Sequence, residues 1–231
     1  MSTRAANYLE AVEHLPGDAV LVLHDVSWEE YQGLLKEMEE NWPGMRVTYN
    51  KGRLEIMSPS PKHERIKAFV DHLVAVFCDE TGLAMENFGS TTYHRKRDAR
   101  GAEPDACFYV TDLDRIIGKD EIDLDRDPPP DVVVEIDIAN QSFGKFEIYA
   151  GFGVPEIWRY DDRRMHIHRF TGKRYIEIQS SRFFSGLTAA VLTDFIGRSK
   201  TQGRTAALAA FRKWVRAKQV NGSRSRPNPP R

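Results

Sequence analysis

The sequence has little cysteine, no long apolar run, and no acid beyond residue 194. Its two cysteines, Cys78 and Cys107, stand alone in 231 residues. They support neither a disulfide framework nor a metal knuckle. No apolar stretch approaches the roughly 18 residues of a membrane span, which excludes a membrane partner. The N-terminus lacks a basic-then-apolar leader, and Glu10 and Glu13 argue against a transit peptide, so the expected compartment is the cytoplasm. All 34 Asp and Glu residues fall at or before Asp194, whereas ten of the 33 Lys and Arg residues lie beyond it. The formal charge of −1 therefore divides into an acidic body of −11 and a tail of +10. A basic tail suits phosphate contact or plain solubilisation. The acidic body offers no broad basic footprint for nucleic acid.

What is present fits a soluble globular protein, with 41 % hydrophobic and 29 % charged residues. The length suits one domain over residues 1–197, followed by a basic helix and disordered tail over 198–231. Ser27 with Glu30 forms a capping box that opens a helix through about Glu40. Arg46–Tyr49 and Leu54–Met57 read as strands about a turn at Asn50–Arg53. After Ser58–Pro61, the apolar spacing of Ile66, Phe69, Val70, Leu73, Val76 and Phe77 predicts a helix that stops near Gly82. Short strands are expected around Leu83–Phe88, Thr91–Arg95 and Ala106–Val110. Residues 111–130 read as a charged connector. Asp131–Ile138 is the most apolar strand, followed by a helix around Lys145–Phe152. Pro155–Tyr160, Met165–Phe170 and Tyr175–Ile178 form a meander. A last helix spans about 205–218, and Asn221–Arg231 has the composition of a disordered end.

The chemistry concentrates around the apolar strand. Strand alternation puts Val132, Val134, Ile136 and Ile138 on one face, and Val133, Glu135 and Asp137 on the other. Carboxylates in a segment that seeks burial need a partner. A divalent cation supplies one, and Mg²⁺ takes a few carboxylates together with waters and substrate oxygens. A strand at a sheet edge, its acids in solvent or bonded to arginine, accounts for the same pattern. Asp105 follows a proline at the mouth of another strand. Lys145 lies early in the helix after Glu135, with Tyr149 one turn beyond. An Asp, a Glu and a Lys from three elements form a phosphodiesterase constellation.

Three stretches, Gly101-Ala102-Glu103-Pro104-Asp105, Pro130–Ile138 and Gly153–Tyr160, closely resemble the Uma-two restriction endonuclease family of the PD-(D/E)XK nuclease superfamily. Gly52–Pro59 followed by His63 is similar to its N-terminal signature. The resemblance runs from about Ser27 to Leu192. It implies an α/β fold with a central mixed sheet of about five strands flanked by helices. It also implies metal-dependent endonuclease activity with Mg²⁺ or Mn²⁺ on nucleic acid, DNA foremost. Carried over by residue, Asp105 and Glu135 become metal ligands. The superfamily's lysine slot, two positions past Glu135, holds Asp137, and Lys145 takes over the lysine's place from the next helix. Asp137 is then either a third metal ligand or the partner of a basic residue. A nuclease-fold protein that no longer cuts, and serves as a binding module, is the rival reading.

Other residues weigh less. Glu55 is a candidate near the metal. His63 or Glu64 is a candidate to face the cleft, and for His63 a local capping or packing role at the helix start is preferred. Glu103 shares the face of Asp105 if its strand begins early. His94 to Arg97 and Arg100 read as a solvated loop. His166 and His168 alternate on one strand face and are expected to meet solvent. Trp158 is expected to pack. Leu208, Phe211, Trp214 and Val215 form a stripe suited to docking or to a homodimer contact.

Overall fold

The computed structural model describes residues 3–42, 44–139 and 142–224. In chain order the helices are α1 (Thr3–Glu13), α2 (Trp28–Asn41), α3 (Pro61–Thr81), α4 (Phe143–Phe152), α5 (Ala189–Gln202) and α6 (Arg204–Arg224). The strands are β1 (Val20–Leu23), β2 (Arg46–Asn50), β3 (Arg53–Met57), β4 (Glu86–Asn87), β5 (Tyr93–Arg95), β6 (Arg100–Ala102), β7 (Ala106–Tyr109), β8 (Val132–Ile136), β9 (Glu156–Tyr160), β10 (Met165–Phe170) and β11 (Tyr175–Ile178). No described helix is long and apolar enough to cross a membrane.

The local signals explain the main helices. Ser27 and Glu30 exchange both bonds of the capping box, with Ser27 N donating to Glu30 Oε2 at 2.8 Å and Glu30 N to Ser27 Oγ at 3.2 Å. Ser60 caps α3 by accepting from His63 N at 3.2 Å, with Pro61 in the first turn. Gly82 ends that helix at φ 70°, a left-handed value that glycine adopts freely.

The class is α/β, but the strands form two sheets where one was expected. A five-stranded sheet of order β1-β3-β2-β6-β5 is antiparallel in every pairing. A six-stranded sheet of order β11-β10-β9-β8-β7-β4 is mixed, with β8 and β9 parallel. The parallel pair requires a crossover, and α4 supplies it. Both faces of β8 are buried, which is why it reads as a continuous apolar run. Val132, Val134 and Ile136 pack against α3, α5 and α6, while Val133 packs against Ile148, Tyr149 and Phe152 of α4. Glu135 shares the face of Val133, so the fold aims it at α4.

Several expectations are corrected here. The stripe Leu208, Phe211, Trp214 and Val215 docks on the protein's own core beside α3 and α5, the first of the two roles expected for it. The 111–130 connector buries Ile116 and places Leu124 in the core under α4. Strands β1 and β6 and helices α1 and α5 were not anticipated, being too short or too polar for a clear period. Trp158 packs as expected, with no exposed surface. The disordered end foreseen at Asn221–Arg231 begins inside α6, and residues 225–231 lie outside the described residues.

Candidate active site

The site forms where the two sheets and α4 meet. In the antiparallel pair β7–β8, Ala106 faces Val134. One step along that register sets Asp105 opposite Glu135. Asp105 N donates to Val134 O at 3.0 Å, and Ile136 N donates to Asp105 Oδ2 at 2.6 Å, so the carboxylate is pinned to the neighbouring strand. Lys145 Nζ donates to Glu135 Oε2 at 2.7 Å and to Glu103 O at 3.2 Å. Tyr149, one turn on, donates its hydroxyl to Glu135 Oε1. Lys145 and Tyr149 thus clasp the two oxygens of one carboxylate. The fold brings Asp105, Glu135 and Lys145 into one cleft of about 190 Å³, also lined by Asp137, Glu55, His63 and Arg46.

Asp137 stands at the cleft but is engaged. Its Oδ2 accepts from Arg159 Nε at 2.5 Å, and Ser142 N donates to both of its oxygens at 3.1 Å. Of the two roles open to it, the structure displays the pairing with a basic residue. Glu55 lines the wall of the cleft in an ion pair with Arg53. Glu103 is buried, with Oε1 3.2 Å from Arg46 Nη1. Asp131, despite following Pro130, turns away to accept from Val110 N, Thr111 N and Thr111 Oγ1, each at 2.7 Å.

His63 and Arg46 complete the site from outside the sequence-marked triad. His63, read as a capping or packing residue, is 1 % exposed and sets Nε2 3.1 Å from Asp105 Oδ2. The two side chains meet at ion-pair distance in the buried wall of the cleft. Arg46 reaches from β2 to the acids of the other sheet. It meets Glu103 and donates to Gly44 O at 3.1 Å, and its Nε lies 3.9 Å from Asp105 Oδ1. Its only sequence signal was alternation. Val47 and Tyr49 point to the α2 core, so Arg46 and Thr48 point the other way.

The electrostatics separate the carboxyls. Burial pushes Glu135 up to about 7; the Lys145 ammonium opposes this and the charge of Asp105 adds to it. Burial likewise lifts Glu103 to about 7 against the pull of Arg46 and Lys145. Asp105 moves the other way. Burial would raise it, but His63, Lys145 and the Ile136 N–H outweigh that and hold it below the usual carboxylate range. For Lys145 burial alone is depressing, yet Glu135, Asp105 and Glu103 keep its ammonium above the ordinary lysine value. A buried Asp and Glu that repel each other beside a retained cation suit a further positive charge.

The chain is matched by a family profile described as "Putative restriction endonuclease" over residues 28–199. It belongs to the Uma2 family. No curated protein matches the sequence. It is similar to the crystal structure of a "putative nuclease belonging to DUF820 from Anabaena variabilis ATCC 29413", at 18 % identity and a TM-score of 0.48, covering 65 % of this chain and 90 % of that one. The Uma2 match covers every strand except β1 and all the cleft residues named above.

The remaining candidates lie outside the cleft's chemistry. His166 is 7 % exposed and does not face solvent. Its Nε2 lies 2.9 Å from Asp161 Oδ2 and its Nδ1 3.1 Å from Glu177 Oε1. His168 packs edge-on against Phe146, ring centroids 5.0 Å apart. In the basic cluster His94, Lys96 and Arg97 are exposed as expected of a solvated loop, whereas Arg95 and Arg100 are not. Arg95 donates to Asp98 at 2.5 Å and to Gly151 O, and Arg100 pairs with Glu147, so both arginines tie α4 to the five-stranded sheet.

Proposed function

We propose that this Uma2 protein is an endonuclease that hydrolyses phosphodiester bonds of nucleic acid, DNA foremost, with Mg²⁺ or Mn²⁺ held by Asp105 and Glu135. The observation that carries the reading is the contact of Lys145 with Glu135 in the cleft of Asp105. It returns an ammonium to the place left open by Asp137.

The residues suit a hard divalent cation. Asp105 Oδ1 is buried and accepts no hydrogen bond from a described residue. Among the described residues no three His, Cys, Asp or Glu side chains are grouped to hold a metal unaided. Mg²⁺ needs no more than one or two protein carboxylates, its remaining ligands being waters and phosphate oxygens. When bound, the cation supplies Lewis acidity and charge neutralisation at the phosphoryl group. Lys145 orients the attacking water and stabilises the charge that develops. Tyr149 fixes the direction of the Glu135 carboxylate, and the Ile136 N–H does the same for Asp105. Asp137 is a positioning residue: it joins β9, through Arg159, to the Ser142 turn that starts α4.

A non-cutting binding module is favoured by one observation. Glu135 and Asp137 have cationic partners within the chain, Lys145 and Arg159. Incubation of wild type and Asp105→Ala with DNA and RNA, in Mg²⁺, Mn²⁺ or EDTA, separates the readings. The endonuclease reading expects cleavage by wild type only, and only with metal. Retention of nucleic acid without cleavage in either metal establishes the binding module.

A further inference from the structure

We propose that Lys62 and Lys200 form a phosphate-binding rim at the mouth of the cleft, where the backbone of duplex DNA leaves it. This rests on the nucleic-acid reading above and names residues that act on substrate outside the reacting group. Tyr160 ends β9, and its carbonyl accepts from the N–H of Asp137, a cleft residue, at 2.7 Å. The turn after Tyr160 is therefore one hydrogen bond from the site. From the other side, Lys62 directly precedes His63, which lines the cleft.

Two ammonium groups converge on that turn. Lys62 Nζ lies 2.5 Å from Asp162 Oδ2, and Lys200 Nζ lies 3.3 Å from Asp162 Oδ1 and 2.8 Å from the Tyr160 hydroxyl. All three charged side chains are open to solvent, Lys62 at 44 %, Asp162 at 33 % and Lys200 at 27 %. Arg163 and Arg164 are exposed in the same turn. Two ammonium groups sharing one partner repel each other, and the anion between them holds them together. Asp162 is that anion in the free protein. A backbone phosphate offers the same oxygen chemistry to the same two lysines, whose long stems suit a point-charge contact. The charges of the turn cancel, Asp161 and Asp162 against Arg163 and Arg164, so Lys62 and Lys200 supply the positive excess beside the cleft on a body whose first 194 residues carry a net charge of −11.

Asp162 also supplies a test of sign. It occupies a left-handed turn at φ 67°, which asparagine tolerates as well, so Asp162→Asn removes the charge and keeps the turn. The full-length protein is titrated into a fluorescein-labelled DNA duplex in EDTA, with anisotropy read across a salt series and thermal melts run in parallel. Lys62→Gln/Lys200→Gln should weaken binding and reduce the slope of log affinity against log salt by about 1.8, as for two lost phosphate contacts. Asp162→Asn should strengthen binding several-fold. The rim is overturned if wild type binds and the double variant keeps its affinity and slope, or if Asp162→Asn weakens binding together with a lowered Tm. A wild type that binds no duplex overturns the nucleic-acid reading itself.

Discussion

Lys145 Nζ donates to Glu135 Oε2 across 2.7 Å, although the two lie ten residues apart on a strand and on the helix after it. The contact is made in a buried setting, with the side chains 13 % and 3 % exposed. Breaking one side of such a pair leaves the other charge uncompensated, at a cost on the order of 3 kcal/mol. Lys145→Met should therefore lower Tm clearly. The loss should be smaller near pH 6, where Glu135, pushed up to about 7, takes a proton. Cleavage should fall by about 10² to 10³, as when a transition-state electrostatic partner is lost. A folded Lys145→Met variant that cuts at the wild-type rate would falsify the role given to the lysine.

Arg46 yields a second expectation. It is 8 % exposed and lies between Glu103 and Asp105, joining the five-stranded sheet to acids before β7. Arg46→Met should destabilise by roughly 3 kcal/mol through the unpaired Glu103. Arg46→Lys should restore part of the stability but not the fork, whose Nη1 meets Glu103 and Gly44 O while Nη2 meets Glu64. Urea denaturation of the three proteins gives the ranking. Equal midpoints would remove Arg46 from the network.

Where period and turn chemistry were strong, the sequence was a sufficient guide: the capping box at Ser27, the glycine stop at Gly82, the apolar strand at Val132–Ile136 and the meander from Glu156 to Ile178. Asp105, Glu135 and Lys145 were legible because each departs from its local pattern. Arg46 was not legible, because a basic residue starting a strand looks solvated until a second sheet is known to lie opposite. His63 looked local for a related reason. Its capping hydrogen bond is local, whereas its ring meets Asp105 only through tertiary packing. His166 alternates like a solvent-facing residue, yet it is buried by acids from the neighbouring turn and from β11. Alternation assigns a face and does not say what covers it.

Gly101 gives a prediction about packing. A Cβ there would lie 2.7 Å from the Tyr31 Cζ, inside a stacked Tyr31–Tyr49 pair with ring centroids 4.6 Å apart. Tyr31 is fully buried. Gly101→Ala should cost about 1–3 kcal/mol by overpacking. Because β6 leads directly into Glu103 and Asp105, cleavage should fall along with Tm. A variant with wild-type Tm would show that the Tyr31 stack moves freely.

The last expectation concerns metal and pH together. Glu135 has an ordinary value of 4.5 and is pushed up to about 7, mainly by burial. Between those values the folded protein keeps a proton that the unfolded chain has released. The contribution of neutral Glu135 is thus complete below about 4.5 and lost as pH rises through about 7. Glu103, also lifted to about 7 by burial, acts in the same direction. Asp105 is held below the carboxylate range and stays charged throughout. A divalent cation competes with the Glu135 proton, so its binding should be weak in acid and strong in base. Adding Mg²⁺ should raise Tm at about pH 8 by the linkage expected of a native-state ligand, up to about 2.7 kcal/mol at a hundred-fold excess over Kd. Near pH 5.5 the same addition should do little. Asp105→Ala should abolish the rise at both pH values, measured by thermal melts with and without Mg²⁺. A rise of equal size in that variant would place the cation elsewhere, and one independent of pH would remove Glu135 from its ligands.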